Sequence, residues 1–217
     1  MNICVPSNST FNVTLLDDGA KFAYGTKQRV IIDYLQQKIV EGYTEFVYAG
    51  PVNAMGAFAL AQGCKELRLR CRLFLVGTKL TAQARGFSRN IQLIRGPLTE
   101  ADQQASDYVQ MNAKRFLVPF GIQDSLYKSI LKASIEADAD LQTLQPKRLW
   151  LAVGSGALLS ILLDIFPTTH FRAVQVGKSL KLETFSAEAQ ARITTYWSPE
   201  RFTQPAQQPP PYCSLIN

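Results

Sequence analysis

Histidine is nearly missing from this 217-residue chain: His170 stands alone, and the four cysteines, Cys4, Cys64, Cys71 and Cys213, form no Cys-x-x-Cys pair. A Cys/His metal centre is therefore not expected, and no metal ligand is assigned. Cys64 and Cys71 stand in apolar segments and read as small buried hydrophobes. Apolar runs of membrane-spanning length are missing too, so no membrane partner is expected. The N-terminus lacks a basic region leading into an apolar core, so the sequons Asn8-Ser9-Thr10 and Asn12-Val13-Thr14 are expected to stay bare. These absences point to a reduced, cytoplasmic protein. Lys and Arg outnumber Asp and Glu by 23 to 17, a net charge of +6. The basic residues are scattered rather than clustered, so a nucleic-acid surface is not expected, only a mild attraction for anionic metabolites. With 47% hydrophobic and 18% charged residues, the composition excludes global disorder. The length suits one large domain or two small lobes.

From about residue 26 helical and strand patterns alternate. Val30, Ile31, Tyr34, Leu35 and Ile39 recur at helical spacing, and Glu45–Ala49 follows as a short buried strand. Asn53 is placed as the cap of a second helix carrying Met55, Phe58, Ala59 and Leu67, and Cys71–Val76 is the next strand. Helical signals near Thr81–Gly86 lead to a strand at Ile91–Ile94. Thr99 caps a helix to about Ala113, ahead of Arg115–Val118. A helix near Gln123–Ala137, a strand at Leu149–Val153, a helix at Ala157–Phe166 and a strand at Phe171–Val176 complete the rhythm. Strands apolar enough to be covered on both sides, alternating with helices, predict an α/β protein with a mostly parallel sheet and helices on both faces. Residues 1–203 form this region, with about 40–120 as a smaller lobe. Residues 204–217, Gln204-Pro205-Ala206-Gln207-Gln208-Pro209-Pro210-Pro211 and beyond, read as an extended tail or linker.

Three local features carry chemistry. An apolar strand runs from Trp150 into Gly154-Ser155-Gly156, and an apolar helix begins at once at Ala157. Glycines permit the sharp turn and close backbone approach, and the new helix offers unpaired N–H groups, an arrangement suited to phosphate. Lys27 follows a Gly25-Thr26 turn at the start of a helix. In a partly dry pocket its amine would lose basicity and become a nucleophile toward an aldehyde; the alternative is a solvated surface lysine. Asn53 could hydrogen-bond a ligand oxygen or act as a plain helix cap. A dinucleotide site is disfavoured, because Gly154–Gly156 lacks the third glycine and Val176 is followed by Gly177-Lys178 rather than an acidic residue. No Gly-x-x-x-x-Gly-Lys-Ser/Thr loop is present. His170, with no catalytic partner in view, and Tyr196-Trp197 are read as structural.

The order of these features resembles the fold type II, tryptophan-synthase-β-like family of pyridoxal-phosphate enzymes, nearest the branch of aminocyclopropane-carboxylate deaminases and D-cysteine desulfhydrases. Asp17-Asp18 followed by Tyr24-Gly-Thr-Lys-Gln-Arg29 is similar to that branch's acidic pair and lysine motif. Val47-Tyr-Ala-Gly-Pro-Val-Asn-Ala54 is similar to its asparagine loop. Pro119-Phe-Gly121 resembles the segment ahead of the phosphate loop, and Val153-Gly-Ser-Gly-Ala157 resembles that loop. The resemblance covers roughly residues 13–180. It implies pyridoxal 5'-phosphate as cofactor, Lys27 as the Schiff-base and catalytic lysine, and Asn53 at the ring hydroxyl. Gly154, Ser155, Gly156 and Ala157 would lie at the phosphate. The implied activity is that of a lyase or deaminase on a small amino acid, with a homodimer open as the assembly.

The chain departs from that pattern in definite places. Val52 stands where the branch has a serine before the asparagine, and Ala54 where glutamine or histidine often follows. Ala157 and Leu158 replace the glycine and threonine that usually continue the phosphate loop. The C-terminal part of the family fold is expected to be short or missing, and neither Ser198 nor Glu200 can be assigned as partner of the pyridine nitrogen. A non-catalytic, decayed homologue acting in binding or interaction is the alternative reading.

Overall fold

A computed structural model of the chain describes residues 2–4, 15–17, 22–143, 145–176 and 180–198. It divides the chain into two compact units, Asp18–Leu131, and Met1–Asp17 together with Lys132–Asn217. These units cut the chain at points other than the expected 40–120 lobe. The Pro-rich stretch 204–217 lies outside the described residues, as do both sequons, Asp18 and Glu200.

Near the N-terminus β1 (Asn2–Cys4) and β2 (Leu15–Asp17) pair antiparallel, with Asn2 opposite Asp17. The unit Asp18–Leu131 then runs through α1 (Thr26–Arg29), α2 (Ile31–Val40), β3 (Glu45–Pro51), α3 (Met55–Glu66), β4 (Arg70–Val76), α4 (Ala82–Arg85), β5 (Ile91–Ile94), α5 (Leu98–Gln110) and β6 (Arg115–Val118). Its sheet has the order β5-β4-β3-β6, and every pairing is parallel. The inner strand β3 is buried from Glu45 to Gly50, as expected of a strand covered on both faces. On one face Val47, Ala49, Phe74 and Ile94 pack against Ala101 and Ala105 of α5, where small residues let the helix sit close. On the other, Tyr48 projects toward Gly56 of α3. Helices α2 and α3 meet through Gly63, where a Cβ would stand 2.9 Å from Ile31 Cγ2 and 3.0 Å from Leu35 Cδ1.

Helix α6 (Ser125–Glu136) carries the chain onward to α7 (Ala139–Gln142), β7 (Arg148–Val153), α8 (Ala157–Ile165), β8 (His170–Val176), α9 (Ala187–Ala191) and β9 (Ile193–Ser198). The last three strands form a parallel sheet in the order β7-β8-β9. Leu159, Ile161, Leu162 and Leu163 bury the apolar face of α8. Arg192 ties down its C-terminal end, donating to the Phe166 carbonyl at 2.9 Å and the Leu163 carbonyl at 3.1 Å, where helical carbonyls lack partners.

The architecture is α/β with mostly parallel strands and flanking helices, as expected from the sequence. Several local expectations need correction. The helix through Val30 is broken there, because Val30 adopts φ −126° and becomes the cap between α1 and α2. Neither Asn53 nor Thr99 is a helix cap: extended Ala54 and Pro97 take those positions, and neither helix has a side-chain cap bond. Thr81 does cap, accepting from the Ala84 N–H at 3.2 Å. The elements α9 and β9 were not foreseen. Tyr196 packs against Trp150, ring centroids 5.0 Å apart, while Trp197 is exposed.

Candidate functional site

The first candidate group lies in the unit Asp18–Leu131. Gly25 caps α1 at φ 64°, a conformation that glycine adopts without strain, and its carbonyl accepts from the Gln28 N–H at 2.9 Å. The preceding Tyr24 ring lies 6.0 Å from both the Phe58 and the Phe87 rings, and its N–H donates to the Gln28 side chain at 3.1 Å. Tyr127 of α6, fully buried, donates its hydroxyl to the Lys27 carbonyl at 2.9 Å. A helix of four residues has almost no stability of its own. These contacts with three separate segments hold α1 in place.

The Lys27 side chain crosses Gly56 in the first turn of α3. A Cβ there would stand 3.5 Å from Lys27 Cδ, 3.5 Å from Ile122 Cγ1 and 3.3 Å from the Tyr48 hydroxyl. At its end the ammonium donates to the Gly121 carbonyl at 2.9 Å. Gly121 adopts φ 70° in a short 3₁₀ turn, and its N–H donates to the Tyr48 hydroxyl at 3.1 Å. One peptide-bearing glycine is thus held by Tyr48 on its N–H side and by Lys27 on its carbonyl side. Burial strips water from the ammonium and lowers the Lys27 pKa from 10.5 to about 8. The same burial pushes the Tyr48 phenol up to about 12, keeping it neutral as an acceptor and donor near neutral pH.

Asn53 lies in the same unit, in the turn between β3 and α3. Its side chain is not spent on capping α3. Val52, which precedes it, is held against Gly77, where a Cβ would come within 2.7 Å of Val52 Cγ1. The β3–α3 turn is further fixed by the Val52 N–H, which donates to the Val76 carbonyl at 2.8 Å.

The second group lies in the other unit. Gly154, Ser155 and Gly156 form the bend between β7 and α8, and Ala157 is the first residue of that nine-residue helix. Gly156 caps it at φ 80°, and a Cβ there would meet Leu180 Cδ1 at 3.0 Å. A side chain is therefore excluded twice, by conformation and by space. The first-turn N–H groups have no helical acceptors, and the bend leaves their end of the helix without a side-chain cap. Ser160 turns its hydroxyl to the Ala157 carbonyl at 2.8 Å instead. Lys27 and Asn53 thus share one unit, and Gly154–Ala157 belong to the other.

Sequence reasoning did not single out Tyr48, Gly56 or Tyr127. A glycine two residues after Ala54, in the first turn of a helix where it costs about 1 kcal/mol relative to alanine, was the available signal for Gly56. Among the described residues no cluster of three or more His, Cys, Asp or Glu could hold a metal ion. No helix among them is long and apolar enough to cross a membrane.

No family model and no curated protein matches the sequence. Solved structures do match. An ACC deaminase homologue aligns over 80% of this chain and 62% of its own, with TM-score 0.62 and 18% identity. The processed form of threonine deaminase isoform 2 from Solanum lycopersicum aligns over 84% of this chain and 51% of its own, with TM-score 0.62 and 14% identity. Diaminopropionate ammonia lyase from Escherichia coli aligns over 85% and 60%, with TM-score 0.65 and 10% identity. The chain therefore has the fold of the fold type II pyridoxal-phosphate enzymes. It spans between about half and 62% of the length of these three.

Proposed function

We propose that this chain binds pyridoxal 5'-phosphate and acts as a lyase or deaminase on a small amino acid. Lys27 would hold the cofactor covalently and serve as the catalytic amine, Asn53 would donate to the ring hydroxyl, and Gly154, Ser155, Gly156 and Ala157 would take the phosphate. The observation that carries this reading is the Lys27 amine, desolvated beside Gly56 and brought to a pKa of about 8. A solvated surface lysine would have neither a glycine-lined bed nor a lowered pKa. Supporting the reading are an amine with a free-base fraction at mildly alkaline pH, an Asn53 side chain that does not cap α3, and a glycine at φ 80° opening α8 without a side-chain cap.

When bound, the cofactor supplies an electron sink for charge developing beside an amino acid's nitrogen. The chain's own work is different. Lys27 accepts and returns a proton at Nζ, because near pH 8 it is half ionised. The Gly121 carbonyl orients that amine by accepting from it. The N–H groups at the start of α8 meet an anion with the positive end of the helix dipole.

The decisive experiment is borohydride reduction of protein mixed with pyridoxal phosphate, followed by peptide mass mapping. A pyridoxyl mass on the Lys27 peptide, missing in Lys27→Ala, is expected; labelling spread over surface lysines, or none, overturns the reading. Ammonia release from a panel of small amino acids then reports on turnover. A second reading, a cofactor-binding homologue without turnover, is favoured by Val52 and Ala54 flanking Asn53, which leave no hydroxyl or imidazole there for proton transfer. It predicts the Lys27 label without ammonia.

A further inference from the structure

Away from Lys27, the unit Asp18–Leu131 has a half-open cleft of about 330 Å³, lined by Cys64, Cys71, Lys65, Arg89, Asn90 and neighbouring residues. The two thiols stand at the two ends of one corner. Cys64 lies in the last turn of α3 and Cys71 is the second residue of β4. The corner between them is fixed by the backbone. The Leu69 N–H donates to the Cys64 carbonyl at 2.8 Å, with Arg68 at φ 55°. This is the left-handed helix ending usually given to glycine. Asn90 reaches across to the Cys71 carbonyl at 3.0 Å and closes the cleft wall.

We propose that Cys64 and Cys71 are a thiol–disulfide exchange site for a small anionic disulfide. Both are free thiols, Cys64 with 1% and Cys71 with 8% of its surface exposed. Both line the cleft, and Cys71 is the more exposed of the two. A hydrogen bond to Cys71, together with burial, pushes the Cys64 thiol well above the ordinary thiol range. That hydrogen bond puts the two sulfurs in contact with one another. Lys65 and Arg89 on the cleft wall are cations without a carboxylate partner in the lining, and they suit a reagent bearing carboxylates.

The chemistry closes without a further oxidant. The Cys71 thiolate attacks one sulfur of RS–SR, the S–S bond breaks, and RS⁻ leaves to take up a proton as RSH. Cys64 then loses its proton to solvent and attacks the Cys71 sulfur of the mixed disulfide, expelling the second RS⁻. Two protein thiols become one disulfide, and the small disulfide becomes two thiols.

The test uses the intact chain with oxidised glutathione as probe and an uncharged disulfide, bis(2-hydroxyethyl) disulfide, as control. Peptide mapping is expected to link Cys64 to Cys71 under native conditions. Cys64→Ser should stop at the mixed disulfide on Cys71, and Cys71→Ser should leave Cys64 unreacted. Arg89→Glu, with native circular dichroism, should slow oxidised glutathione about tenfold while leaving the uncharged reagent unchanged. Reaction at Cys64 in the Cys71→Ser protein overturns the proposal. So does a pair that reacts only in denaturant. If Arg89→Glu slows both reagents alike, or neither, the anionic class of the reagent is wrong.

Discussion

The ammonium of Lys27 and the carbonyl of Gly121, 94 residues apart in the chain, are joined by a hydrogen bond of 2.9 Å. Burial around that contact lowers the pKa of the one amine on which the proposed chemistry depends. Lys27 should react with a general amine reagent along a curve centred near pH 8 rather than 10.5. Competitive labelling across pH, read by mass mapping, checks this; a midpoint near 10 would remove the basis for nucleophilic chemistry at Lys27.

The same shift links stability to pH. The folded pKa lies below the unfolded value, so between about pH 8 and 10.5 the unfolded state binds more protons and stability rises with pH. Below pH 8 the full cost of a desolvated ammonium is present. A shift of this size corresponds to about 3 kcal/mol, reduced to about 2 kcal/mol by the partial opening of the side chain. Lys27→Met should therefore be more stable than the parent at pH 7, with the difference fading by pH 10, as measured by urea unfolding.

Removing the Tyr48 hydroxyl takes the acceptor from the buried Gly121 N–H. Tyr48→Phe should cost about 1–3 kcal/mol and speed exchange of the Gly121 amide hydrogen. Unchanged exchange at Gly121 would show that the phenol does not hold this turn.

Gly156→Ala introduces a side chain at φ 80° and within 3.0 Å of Leu180. A loss of about 1–2 kcal/mol is expected from the backbone alone. Retention of pyridoxal phosphate, followed by equilibrium dialysis, should fall in parallel, whereas Ser160→Ala, whose hydroxyl donates to the Ala157 carbonyl, should leave it unchanged.

Away from the site, Glu45 accepts from Arg115 at 2.9 Å and from Tyr108 at 2.7 Å. Desolvation pushes its carboxyl up, but the bonds from Tyr108 and Arg115 outweigh it and hold the pKa below the usual value. Its contribution to stability is present above about pH 4.5 and is lost as acid protonates it. Arg115→Ala should cost about 1.5–3 kcal/mol near neutral pH by removing a charge-assisted bond from this carboxylate, and less at pH 3, read from the urea midpoint at each pH.

Much of the fold was legible because the inner strands are apolar on both faces. The expected strands Ile91–Ile94 and Arg115–Val118 coincide with β5 and β6. What escaped was β9, whose Thr194 is exposed and whose Ile193 and Thr195 are only half-buried at the end of its sheet, so no clean alternation marks it. Asn53 and Thr99 misled for another reason. Both residue types favour helix caps, yet the path of the incoming chain put extended Ala54 and Pro97 there. Lys27 could be picked out from its glycine turn, but its dry surroundings could not. They come from Tyr48, Gly56 and Gly121, which only the folded chain brings to its side.

The pairing of Glu45 with Arg115 also bears on how the chain reaches its native state. During synthesis β3 emerges long before its neighbour β6, and helices α3, α4 and α5 lie between them. Until that last strand arrives, an edge rich in phenylalanine, valine and tyrosine stays open to any passing strand. Assembly of this sheet should accordingly be slow and sensitive to chaperone supply, since its decisive contact closes one of the longest loops in the unit.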